Sequence, residues 1–121
     1  MIAHNDNMYC GAIRRGDIVL CIDSQSKEDY FVVLQDDILN QSLPTIICSR
    51  IEKYKKGEQI FVNEVLLSKE ETGIGREGVC FLHKVETIVR TRVLSKKGEL
   101  KAERIQELLH ALDITLGRFR D

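Results

Sequence analysis

Residues 14–51, RRGDIVLCIDSQSKEDYFVVLQDDILNQSLPTIICSRI, decide how the chain folds. Three apolar runs of strand length, rich in Val and Ile, are separated by segments of Asp, Asn, Gln and Ser. Arg15-Gly16-Asp17 opens the first run at a tight turn. Val32-Val33-Leu34-Gln35-Asp36-Asp37 ends the second by switching abruptly from apolar to acidic. Leu43-Pro44-Thr45-Ile46-Ile47-Cys48 starts the third, and the lone proline stands at a strand's first residue, where a missing N–H costs least.

Working outward, the pattern predicts strands at about 17–22, 30–35 and 45–51. A charged turn at 52–58 leads to a fourth strand at 59–67, with further strands near 79–82 and 86–93. The second strand is apolar on both sides and reads as central. Ser68 to Gly73 reads as one capped helical turn stopped by glycine. After Lys101 the period changes: Ile105, Leu108, Leu109, Leu112 and Leu116 line one face of a helix that Gly117 ends. Many short strands and one terminal helix predict a mainly β, α+β domain: a small, strongly bent, barrel-like antiparallel sheet with the helix packed across it. Residues 1–13 read as a polar lead-in, and residues 14–121 as the single domain.

The 121 residues are 43% hydrophobic and 31% charged, with a net charge of −1. That balance excludes a global field recruiting nucleic acid, so any RNA contact relies on local patches. No apolar run approaches membrane-spanning length, and residues 1–8 do not resemble a signal peptide; a cytoplasmic protein is expected. Cys10, Cys21, Cys48 and Cys80 show no Cys-x-x-Cys spacing, and three of them fall inside apolar strands as small hydrophobes. With His4, His83 and His110 also lacking ligand spacing, neither metal nor cofactor is expected.

The order of these motifs resembles the MazF/PemK (Kid-like) toxins of type II toxin–antitoxin systems. Arg15-Gly16-Asp17, Val32 to Asp37 and Pro44-Thr45 match the family's first half. Glu70 to Ile74, Phe81 to Ile88, Arg92-Val93-Leu94 and Gly98-Glu99-Leu100 follow in the family's order, so the resemblance spans residues 14–117. It implies a CcdB/MazF-like fold and a metal-independent endoribonuclease acting on single-stranded RNA. It also implies a homodimer whose interface groove takes either RNA or a peptide of an antitoxin protein. The strand at 85–93 and the Ile105/Leu109/Leu112 face are candidates for the dimer surface.

In the family, an arginine before the second strand and a threonine ending the third are central to cleavage. Those positions here hold Asp29 and Glu52, and Lys84 stands where the family carries a glutamine. The glycine-rich loop that covers RNA is shortened to Ser24-Gln25-Ser26-Lys27-Glu28. Residues two apart on a strand share a face about 6.6 Å apart, so Arg50 and Glu52 are expected side by side. The pair is a candidate catalytic set, with Glu52 taking a 2′-hydroxyl proton and Arg50 holding the phosphate. Arg15, Lys53 and Lys84 are the candidate nucleic-acid contacts. The alternative is a catalytically inactive MazF-like dimer that binds a protein or nucleic acid, with Arg50 and Glu52 ending their strand in solvent and Asp29 in a solvated loop. His83, within an apolar strand, reads as a core or interface residue.

Overall fold

The structure, a computed structural model, describes residues 8–118. Six strands form one antiparallel sheet: β1 Asp17–Ile22, β2 Glu28–Val33, β3 Thr45–Lys53, β4 Glu64–Leu67, β5 Gly78–Val89 and β6 Val93–Glu99. Their spatial order is β4-β5-β3-β2-β1-β6, which puts β2 in the middle as its two-sided apolarity requires. Three helices accompany them: α1 Asp37–Ser42, α2 Lys69–Thr72 and α3 Ala102–Leu116. The sheet is not closed into a barrel, since β4 and β6 do not pair.

Alternation along the strands sorts the apolar residues into two cores. On one face Ile18, Val32, Leu34, Ile51 and Leu82 pack beneath Leu108 and Ala111 of α3. On the other, Val19, Phe31, Val33, Ile46, Cys48 and Val93 pack together with Ile13 and the ring of Tyr9. The Tyr9 N–H also donates to the Val93 carbonyl, so the part of the lead-in from residue 8 onward lies against the fold. Residues 1–7, including His4, lie outside the described residues.

The irregular point is in β5. Ser49 pairs with Val85, yet Ile51 pairs with Cys80, so β5 carries three more residues than β3 across that interval. An odd excess exchanges the faces of the strand. Cys80 and Leu82 therefore point to the α3 core, whereas Ile88, also even-numbered, points to the opposite core. The two expected strands at 79–82 and 86–93 are thus one strand with an interruption, which ends at Val89; Arg90–Arg92 form a 3-10 turn and Val93 already belongs to β6.

Three sequence expectations are corrected. α1 is a helix where a polar connection was expected; six residues are too short to display a helical period, and Asp36 caps it by accepting from the Ile38 N–H at 2.9 Å. The expected strand at 59–67 begins only at Glu64, because a turn ties the Glu64 N–H to the Phe61 carbonyl at 3.0 Å and leaves Phe61 and Val62 55% and 74% exposed. β6 (VLSKKGE) escaped notice because an edge strand pairs on one side only and carries lysines that suit an exposed edge.

The 68–73 turn forms as read. Ser68 and Glu71 make a reciprocal capping box, and Gly73 ends α2 with φ +71°. A Cβ on Gly73 would also collide with the Lys97 carbonyl oxygen of β6. Gly73→Ala is expected to lower unfolding stability by about 1–3 kcal/mol, measured as a shift in urea midpoint at unchanged m.

A guanidinium caged by three carboxylates

Arg50 leaves β3 on the face of Phe31, its partner across the β2–β3 ladder, and its guanidinium lies 4.8 Å from that ring's centroid. Three carboxylates from three other segments converge on it. Its Nη1 donates to Asp23 Oδ2 at 3.2 Å and to Asp29 Oδ2 at 3.0 Å. Its Nε and Nη2 donate to the two oxygens of Glu86 at 3.0 and 3.1 Å, a bidentate fork.

Each acid is positioned by local structure. Asp23 follows β1 directly, and its Oδ1 closes the β1–β2 hairpin by accepting from the Gln25 and Lys27 N–H groups, both at 2.9 Å. Its other oxygen is thereby aimed at Arg50. Asp29 lies in β2, with Oδ1 accepting from the Tyr30 N–H at 2.8 Å. Glu86 reaches the cluster only because the β5 irregularity turns residue 86 to the Phe31 face. Regular alternation from Cys80 would have sent it toward α3.

Electrostatics follow from this geometry. The Asp23 carboxyl is held below its ordinary value of 3.8, first by the Lys27 N–H, then by the Gln25 N–H and Arg50, against the opposing effect of burial. Glu86, then Asp29 and Asp23, hold Arg50 firmly in its charged form. Arg76 adds a second cation at 3.9 Å from Asp29, while its Nη2 donates to the Ile51 carbonyl at 3.2 Å. Three carboxylates against two guanidinium groups leave the cluster one negative charge in excess.

The sequence candidates distribute unevenly around it. Glu52 shares the Arg50 face by alternation, but its ion-pair partner is Lys84, at 3.7 Å. Lys84 also lies 5.0 Å from the Phe81 ring centroid. Lys53, the next residue along β3, is exposed and turned to the opposite face. Arg15 is not part of the site: its Nε donates to the Leu34 carbonyl at 2.8 Å, beyond the far end of β2 from Asp29. Arg50 and Asp29 are not free in solvent, contrary to the solvated alternative. His83 is exposed, with Nδ1 2.9 Å from Asn63 Nδ2, and is therefore not a core residue.

Asp23, Glu86 and Arg76 were not singled out from the sequence. Glu86 carried a faint signal, as a lone acid inside an apolar strand. Beside the cluster, Ile22, Ser24, Thr87, Val89 and Arg92 line a groove of about 260 Å³. A larger cleft of about 450 Å³ lies elsewhere, between α2 and the start of α3, with Glu70, Glu103 and Glu107 on its walls. Among the described residues, no group of three His, Cys, Asp or Glu is arranged to hold a metal ion, and no helix is long and apolar enough to cross a membrane. Burial pushes the Cys21 and Cys80 thiols up to about 12, which rules out a thiolate nucleophile at either position near neutral pH.

Residues 14–116 match the family described as PemK-like, MazF-like toxin of type II toxin–antitoxin system. The chain belongs to this toxin family. It is 29% identical over 115 residues to the endoribonuclease MazF of Staphylococcus saprophyticus, covering 87% of this chain and 92% of that protein. It is 30% identical over 111 residues to the endoribonuclease MazF of Staphylococcus epidermidis, with the same coverage of 87% and 92%. Among solved structures, a mycobacterial endoribonuclease in complex with its cognate antitoxin superimposes with a TM-score of 0.75 at 16% identity, covering 88% of this chain and 96% of that one. MazF of Deinococcus radiodurans superimposes with a TM-score of 0.72 at 19% identity, covering 88% and 98%. These structural likenesses establish the CcdB/MazF-like fold.

For this PemK/MazF-like domain, the position to which the resemblance assigns an arginine holds Asp29, yet a guanidinium still stands there. Arg50 supplies it from β3, 3.0 Å from Asp29. The network also sets an acid limit on stability. Because Asp23's folded value is depressed, its contribution is present above the unfolded value of 3.8 and is lost as pH falls through the lower, folded value. Asp23→Asn is expected to be less stable than the parent at neutral pH. The two proteins should converge in urea midpoint as pH is taken below 3.8.

Proposed function

We propose that this chain is the toxin of a toxin–antitoxin pair, acting in the cytoplasm as a metal-independent endoribonuclease on single-stranded RNA. The observation that carries this reading is the Arg50 guanidinium beside Asp29, with Glu52 two residues along the same strand face and Lys84 at 3.7 Å from Glu52. The names of the two staphylococcal relatives support the activity.

Chemically, the Glu52 carboxylate accepts the 2′-hydroxyl proton, and the 2′-oxygen attacks the adjacent phosphorus. Arg50 stabilises the negative charge on the phosphorane, and Lys84 is the second cation and the proton donor to the departing 5′-oxygen. The products are a 2′,3′-cyclic phosphate and a 5′-hydroxyl end. Arg76, 3.9 Å from Asp29, is a further phosphate contact, and Lys53, on the opposite face of the strand end, contacts RNA only where the chain wraps past that end; Arg15 lies apart from the cluster.

The carboxylate cage favours a second reading, in which the same dimer binds a protein or nucleic acid without cutting it. All of Arg50's charged partners are already in place, so a phosphate has to compete with three carboxylates for the guanidinium. Incubation with a mixed single-stranded RNA pool in EDTA separates the two. Discrete cuts are expected, reduced at least about a hundredfold in Glu52→Gln and in Arg50→Ala. A folded, dimeric wild-type protein that leaves the pool intact would overturn the nuclease reading and favour the binding one.

We also propose that the active form is a homodimer, restrained by an antitoxin. The helix-face candidate for the interface is already covered, since Ile105 and Leu112 pack against the sheet core. The strand candidate is open: β4 pairs with β5 only as far as Phe81, leaving residues 85–89 with β3 on one side alone. Ile47, Val85 and Val89 lie there 41%, 42% and 46% exposed. Such an edge invites pairing. Val85→Lys combined with Val89→Lys is expected to sediment as a monomer, whereas the parent sediments as a dimer.

A further inference from the structure

The cage around Arg50 is not symmetrical in function. Asp23 and Asp29 both take Nη1, on one side of the guanidinium. Glu86 alone takes the Nε–Nη2 edge, with two parallel N–H···O bonds at 3.0 and 3.1 Å. That edge is one with which a guanidinium grips two oxygens of a phosphate, and a carboxylate fork reproduces the same pattern.

The three acids also differ in how firmly they are anchored. The Asp23 side chain is 7% exposed and its second oxygen is committed to two backbone N–H groups. Asp29's second oxygen is held by the Tyr30 N–H. Glu86 is 33% exposed, sits on the half of β5 that pairs with β3 alone, and gives both of its oxygens to Arg50. A longer side chain with one extra torsion and no second anchor is the one that can leave.

We propose that the Nε–Nη2 edge of Arg50 is a phosphate subsite that Glu86 occupies in the free protein, as an internal anion an incoming RNA phosphate must displace. Asp23 and Asp29 are positioning residues that keep the guanidinium aimed while that exchange takes place. Ser24 and Thr87, next in sequence to Asp23 and Glu86, line a groove of about 260 Å³ together with Arg92. The subsite deepens the ribonuclease reading by naming the class of group bound at one atom pair, and it rests on that reading for the identity of the ligand.

The test uses the full chain and a single-stranded oligonucleotide with 2′-deoxy sugars, which carries the phosphates but cannot be cut. Glu86→Gln is expected to bind it about tenfold more tightly. The slope of log affinity against log salt should steepen by about 0.7, the value of one added phosphate contact. The gain should vanish when Arg50→Gln is added. In parallel, inorganic phosphate should move the Arg50 Nε–H resonance in Glu86→Gln at concentrations that leave the parent unmoved. Should Glu86→Gln fail to fold, Glu86→Asp serves, since its carboxylate is too short to complete the fork.

Unchanged affinity in both variants would overturn the proposal. So would a gain of equal size with and without Arg50, which would be a general charge effect. A protein that cuts no RNA but shows these binding changes overturns the catalytic reading and leaves the subsite standing. A protein that cuts RNA with no response at Glu86 does the reverse.

Discussion

The forked pairing of Arg50 with Glu86 joins β3 to β5 at the point where their ladder is interrupted. Everything distinctive about the site depends on it. A guanidinium at a strand end would ordinarily extend into solvent, where an ion pair contributes little. Here the side chain is 24% exposed and its guanidinium carbon stands 4.8 Å over the Phe31 ring centroid, so most of its charge is satisfied within the protein. Four hydrogen bonds from three segments satisfy it, and the remaining partial exposure limits the desolvation cost that makes fully buried ion pairs unfavourable.

The same interruption divides the molecule's labour. On the β4 side of it, β5 turns Cys80 and Leu82 toward α3 and belongs to the helix-covered core. Beyond it, β5 turns Ile88 inward to the opposite core and Glu86 to Arg50. Its other face then presents Val85 and Val89 where α3 does not reach. One odd-numbered excess of residues therefore makes a charged cluster on one face and an exposed apolar edge on the other, back to back on a single strand. A partner seated on that edge would bear directly on the strand that carries Glu86.

Asp29, where the resemblance implies an arginine, is one of the ligands of a guanidinium that Arg50 brings from the neighbouring strand. Carboxylates surround that cation, so access of an anion depends on which of them can move.

The first three strands, the central position of β2, the capped turn that Gly73 ends and the α3 stripe were legible in the chain, because each rests on local signals: apolar alternation, a proline at a strand start, a serine ahead of a glycine stop, and leucines at helical spacing. The family was legible for the same reason, through motifs in the right order. Arg50 and Glu52 on one face followed from alternation alone. Glu86 and Asp23 could not be joined to Arg50 from sequence, since they lie 36 and 27 residues away and meet it through tertiary packing. The face that Glu86 occupies was hidden more deeply. Uninterrupted alternation from Cys80 assigns it to the wrong side of the sheet, and only the pairing of Ser49 with Val85 and Ile51 with Cys80 reveals the reversal. Sequence determined which residues could form strands and a site; register, a property of two strands together, decided which of them met.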